Sequence, residues 1–529
     1  MMLSPARALV RPSAKAAKPR YAVKVFPSPK FGLVTNLELL TDNDMGCAVL
    51  DNWFPEQNGI RPRGGAPRYA TVHASSAVDS LFSYEVGTVK KFFAATATAI
   101  FDITSPATPT TIPAEAVAGL TSGAWVTALI ANAGGVWMRA VNGTDTPRTF
   151  DGATWATTPA ITGVTPSELS YVVTYKHRHY FIRKNTLDIW YLATDAIGGA
   201  ATLFPLTGVT RLGGSLLFLE TWSQDSGDGR DDMFVAVTTE GEVVVYSGSD
   251  PASWVLLGVY FIGRPLGAKA HMRAGGDVVA ATEDGMIPMS SATTKDAGAL
   301  SLDSVARAIE PDWKEMVRTR IDVGAWSLLK WPRRNMAIVG LPNSGMVAPI
   351  VFVVNLQTGA WARYTGWKVR SLGLFNGQAY YGSTDGGIFT IEAQSNDDGK
   401  LYYPLAVLRF NTLGAPGVFK TATMARATFL SSFGFNVKLS VSADYTPAYG
   451  AFPNAFDDSG IDLWDAGLWD IALWDSGGFR QQVRTNWQAI TGQGFALGPN
   501  IQITYGGVTL PDARLISFEL AYETGGPFV

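Results

Sequence analysis

Residues 233–248 read MFVAVTTEGEVVVYSG. Met233–Val237 suits an apolar strand, Glu240-Gly241 a tight turn, and Val243–Tyr246 a second strand. An acidic residue followed by glycine tolerates the positive φ that a two-residue hairpin loop needs. Working outward, the same strand-turn-strand design recurs with starts near Phe92, Val136, His179, Met233, Asp277, Asn335 and Gln378, spaced by 44, 43, 54, 44, 58 and 43 residues. Asp284-Gly285 and Asp385-Gly386 repeat the turn. Further strands lie between the hairpins, such as Trp254–Ile262 and Val369–Phe375. That makes about four strands per unit, the size of a propeller blade.

The expected fold is therefore all-β. A β-propeller of six or seven blades is inserted into a β-rich platform domain, with few short helices. The boundaries expected are a basic, flexible N-terminal arm over residues 1–30, the first part of the platform over 31–75, the propeller over 76–398 and the rest of the platform over 399–529. Two long spacings imply insertions: a loop at Trp222–Asp232, and short helices within Ala299–Val317. The arm carries Arg7, Arg11, Lys15, Lys18, Arg20, Lys24 and Lys30 and no acid. It lacks the apolar stretch of a secretion signal.

Composition narrows the function classes. Of 529 residues, 47% are apolar and 16% charged, and the net charge is −3. The charged share lies below the roughly 25% of ordinary soluble domains, which suits surface hidden in an assembly. A net charge this small names no partner. One cysteine, Cys47, excludes an internal disulfide framework and a Cys-based zinc site.

Chemistry-bearing patterns are sparse. The chain has no GxSxG elbow, no HExxH and no P-loop, and no cofactor or enzyme activity is expected. His177 and His179 stand at i and i+2, so a strand would turn both to one side, but no third metal ligand is evident. Asp225, Asp228 and Asp231 share a Gly-containing stretch that offers oxygen ligands for calcium, without the spacing of an EF-hand. Leu-Trp-Asp occurs three times at a five-residue step, placing Trp464, Trp469 and Trp474 in one segment that either docks a partner or a sugar or is pinned by its Trp residues onto its own domain. Arg61 and Arg63, also at i and i+2, could together face one acidic neighbour.

Two terminal stretches carry a resemblance. Asn52-Trp-Phe-Pro-Glu-Gln-Asn-Gly59-Ile-Arg61-Pro-Arg63-Gly-Gly resembles the opening segment of the tail nozzle, or tubular tail, proteins of short-tailed phages (podoviruses) and of the related tail hub or stabilisation proteins. Leu515-Ile-Ser-Phe-Glu-Leu-Ala-Tyr-Glu-Thr-Gly525-Gly526-Pro is similar to their closing strand, and Glu240–Pro251 followed by Trp254 to their blade text. The resemblance implies a virion protein made in the host cytoplasm. It implies a homo-hexameric tube below the portal and its head-to-tail adaptor protein. Such a tube gates and conducts genomic DNA, docks tail fibres or spikes, and meets the host envelope only indirectly. The arm and the Leu-Trp-Asp repeats are not part of that pattern. The alternative readings are a glycan-binding or glycan-cleaving propeller, and a propeller scaffold for cellular complexes.

Overall fold

Among the described residues each of the seven hairpins falls in a different sheet as an antiparallel strand pair. In the computed structural model these sheets form seven blades. The model describes residues 21–36, 45–225, 230–294, 297–343, 345, 347–431, 435–455, 481–506 and 512–527. Blade 1 runs Ser80–Val86, Val89–Ala95, Ile100–Asp102 and Glu115–Val117; blade 4 runs Leu216–Asp225, Arg230–Thr238, Glu242–Ser247 and Val255–Phe261. Blade 5 has three strands, His271–Ala274, Asp277–Thr282 and Gly285–Pro288. Gly241 and Gly386 take φ of 86° and 84°, as the turn chemistry requires.

A blade sandwiched between neighbours buries both faces. Its middle strands then read as continuous apolar runs rather than alternating ones. Met336–Gly340 in blade 6 is buried at all five positions. Blades 1 and 2 share a core of Phe82, Phe93, Trp125, Met138 and Phe150. The first strand of blade 7, Val369–Phe375, packs on the first strand of blade 1 and closes the ring.

Two features lie outside the repeat. The fourth strand of blade 7 is Arg68–Thr71, which precedes blade 1 in sequence and pairs with Gly387–Thr390. This clasp covers an edge that would otherwise stay open. It also puts part of the 31–75 stretch in the propeller. Blade 6 ends on Trp361–Thr365, and Cys47–Asp51 joins that strand in parallel, with Asp51 opposite Arg363. Leu405–Leu408, Leu497–Ile503 and Val437–Ala443 extend it to eight strands. Blade and platform are thus one sheet. A second platform sheet centres on Val418–Ser431 and Arg514–Pro527, which pair along their length. One apolar core runs from Phe518 and Phe429 through Trp53 and Trp361 to Trp313 and Trp326.

Several expectations need correction. Tyr21–Pro27, read as the end of a flexible arm, is a strand paired with the closing strand, and Phe26 is fully buried. The expected insertion loop at Trp222–Asp232 is instead a lengthened hairpin, with Asp225 opposite Arg230 and Gln224 opposite Asp231. Its apolar–polar mixture hid two strand ends. The helical insertion does form, as Glu310–Arg320, with Trp313 buried against the core.

Candidate functional site at the joint of propeller and platform

Arg61 lies on the second strand of a platform hairpin, Trp53–Glu56 and Gly59–Pro62, and Arg63 directly follows it. Both pair with carboxylates of their own chain. Arg63 is completely buried. Its Nη1 and Nη2 donate to the two carboxylate oxygens of Asp397 at 2.9 and 2.5 Å, and its Nε donates to Asn52 Oδ1 at 2.8 Å. The guanidinium carbon lies 4.2 Å from the ring centre of Tyr402 and 4.5 Å from that of Trp367. The Trp367 indole and the Ala66 amide also donate to Asp397. Burial alone would lower the Arg63 pKa, but Asp397 more than offsets it and the net shift is upward.

Arg61 works one layer away. Its Nε meets Glu56 at 3.0 Å and its Nη1 meets Glu392 at 2.9 Å. Tyr364 donates its hydroxyl to Glu392 at 2.7 Å. Burial pulls the Arg61 pKa down, and Glu392, Tyr364 and Glu56 together carry it above the usual value. Next to them, Arg363 holds Asp51 at 2.5 Å. Every partner comes from a different part of the chain: Asn52 and Glu56 from the platform hairpin, Tyr364 and Trp367 from the end of blade 6, Glu392 and Asp397 from the exit of blade 7. Burial strengthens such pairs and makes a broken one costly. The arrangement holds shape; it locks platform to ring.

Sequence reading singled out Arg61 and Arg63 but missed their partners. Asp397 lies 334 positions from Arg63. The available signal was the polar cluster Asn396-Asp397-Asp398-Gly399 directly after the last hairpin.

The other candidates fare differently. His177 occupies the turn of its hairpin with φ of 58°, beside Lys176 at 45°, and is exposed. His179 is fully buried on the following strand. A turn with two positive φ values separates the pair that an ideal strand would align. Asp228, Trp464, Trp469 and Trp474 lie outside the described residues, as do the side chains of Asp225 and Asp231. Among the described residues no group of three or more His, Cys, Asp or Glu side chains could hold a metal ion.

The inner rim of the ring carries a serine–lysine contact that the sequence did not suggest. Lys269 Nζ lies 2.8 Å from Ser80 Oγ, and burial lowers its pKa to about 8. The Ser80 hydroxyl already donates to the Gly123 carbonyl at 2.7 Å and is fully buried. Lys269 is therefore the donor to Ser80, and the contact ties blade 1 to the segment entering blade 5. Two acids nearby are also engaged: Asp79, just before Ser80–Val86, pairs with Arg370, and Glu220 on Leu216–Asp225 pairs with Arg273, both at 2.8 Å.

No protein-family model matches the chain, and no curated protein matches it. Several solved structures align with part of the chain. The computationally designed Ika8 protein aligns at 14% identity over 62% of this chain and 100% of its own, with a TM-score of 0.34. YCF48 from Cyanidioschyzon merolae aligns at 8% identity over 62% and 98%, with a TM-score of 0.38. The WD40 beta propeller domain of Doa1 aligns at 9% identity over 62% and 97%, with a TM-score of 0.35. Each resembles this chain in fold alone.

Proposed function

We propose that this protein is a structural subunit of a short-tailed phage tail. In this reading, copies assemble into a hexameric nozzle below the portal and adaptor, conduct genomic DNA and dock fibres or spikes. The observation that carries it is an apolar strand on the platform. Tyr21, Val23 and Val25 are 61%, 56% and 53% exposed and alternate along Tyr21–Pro27. Among the described residues this strand pairs only with Arg514–Pro527, which leaves its other edge open. A monomer that shows a bare apolar edge invites pairing with another chain. A second copy in a closed ring satisfies each edge once. The low charged share of the sequence and the rigid joint support the same reading. A ring under the pressure of packaged DNA needs subunits that do not flex between domains.

The test is electron microscopy of purified protein and of virions labelled with antibody to this chain. Sixfold rings, and label at the tail, support the proposal. Virions without label, or rings undisturbed by replacing Tyr21, Val23 and Val25 with serine, count against it.

A further inference from the structure

A pocket of about 240 Å³ opens where the platform meets blade 6. The platform contributes Glu56, Asn58 and Arg514; the blade contributes Arg334 and Gln357. Both oxygens of Glu56 are already engaged, Oε1 by Arg61 Nε and Oε2 by Arg514 Nη2. Arg514 keeps a buried Nε that has no hydrogen-bond partner among the described residues. Arg334 lies over the Trp331 ring at 5.9 Å and forms no ion pair among the described residues. The pocket thus holds two guanidinium groups and one carboxylate whose acceptor oxygens are committed. Amide side chains complete its wall.

Charge-assisted bonds to a carboxylate or phosphate are the strongest that an uncommitted guanidinium such as that of Arg334 can form. A guanidinium matches a planar carboxylate with two parallel bonds. We infer that this pocket is a carboxylate-binding site, sized for an acidic side chain or a small dicarboxylic acid. An occupant would touch both Arg334 of the blade and Arg514 of the platform, bridging the joint from outside. The site belongs to the single chain and holds whatever the assembly proves to be.

The experiment titrates the full-length protein with glutarate at constant ionic strength. Neutral glutaramide, inorganic phosphate and a capped Gly-Glu-Gly peptide run in parallel. Arg334→Gln is the test variant, since Arg334 is exposed and its loss leaves the core intact. Saturable glutarate binding, weakened at least about tenfold by R334Q, supports the site, provided the melting temperature of the free variant is unchanged. Peptide binding as tight as glutarate assigns the natural occupant to a protein side chain; tighter glutarate assigns it to a small acid. Equal binding by R334Q, equal binding of glutaramide, or tighter binding of phosphate overturns the assignment.

Discussion

Two buried arginines in this molecule live in opposite surroundings. Arg63, at the joint, has a carboxylate on its fork, an amide on its Nε and aromatic rings over its face. Arg139, in blade 2 facing blade 3, is 1% exposed, and no carboxylate among the described residues pairs with it. Its Nη2 donates to the carbonyls of Pro159 and Ile197, while Nε and Nη1 find no protein partner among the described residues. Burial lowers its pKa to about 10. The contrast shows where the chain invests charge. The joint is built to resist separation. The seam between blades 2 and 3 relies on apolar packing around Val141, Phe181 and Leu192 and tolerates a charge without a counter-charge.

Removing Arg63 should have the largest effect. Arg63→Met leaves Asp397 without its main partner and opens the aromatic cage. Breaking a buried pair from one side costs about 3–5 kcal/mol, and denaturant unfolding should show that loss. Arg139→Met should differ sharply, changing stability by less than about 1 kcal/mol, because relief of an unpaired buried charge offsets two lost bonds to carbonyls. Similar losses in both variants would erase the distinction drawn between joint and seam.

Next comes acid. His179 sits in the seam near Arg139, and burial together with that arginine pushes its pKa down to about 3. Burial pushes His271 to about 4. Both folded values lie below the unfolded value of about 6.5, so the unfolded chain binds more protons in between. The stability tied to neutral His179 is complete above about pH 6.5 and falls as pH drops toward 3, with about 3 kcal/mol gone by pH 4. Unfolding free energy measured from pH 7 to 4 should decline, and His179→Asn should flatten the curve. An unchanged slope in that variant would place the acid sensitivity elsewhere.

A smaller effect sharpens the seam itself. Thr149 stands directly across the strand pair from Arg139, and its hydroxyl has no partner among the described residues. Thr149→Asp supplies the absent counter-charge. A double-mutant cycle with R139M should give a favourable coupling of about 1–3 kcal/mol; zero coupling would mean that the two side chains do not meet. At the bottom of the scale, Arg318→Ala breaks an exposed helix pair with Glu315. It should cost no more than about 0.5 kcal/mol in the same denaturation assay.

Much of the ring was legible because it is local. The turn at Glu240-Gly241 and the apolar runs beside it define a hairpin within sixteen residues, and the other hairpins repeat that pattern. What stayed hidden is long-range or depends on exact geometry. Nothing in Arg68–Thr71 says that its partner is Gly387–Thr390, because any short strand can cover an edge. The joining of Asp51 to Arg363 turned a blade into part of the platform, and hydrophobic patterning does not name a strand's neighbour. Arg61 and Arg63 stood out as a spaced pair, but their spacing could not say whether they faced inward or outward. Burial decided that, and it was set by Asp397 and Glu392 far along the chain. His177 shows the opposite limit: a two-residue turn lay where an unbroken strand would have aligned it with His179.

The nozzle reading makes the exposed strand Tyr21–Pro27 a contact between copies and the rigid joint a feature of a ring. Mass photometry of the purified full chain, followed over concentration, tests it most directly. A hexameric nozzle gives a species of about six times the 56.7 kDa chain mass that dissociates when Tyr21, Val23 and Val25 become serine. A chain that stays at its monomer mass at every concentration would contradict it.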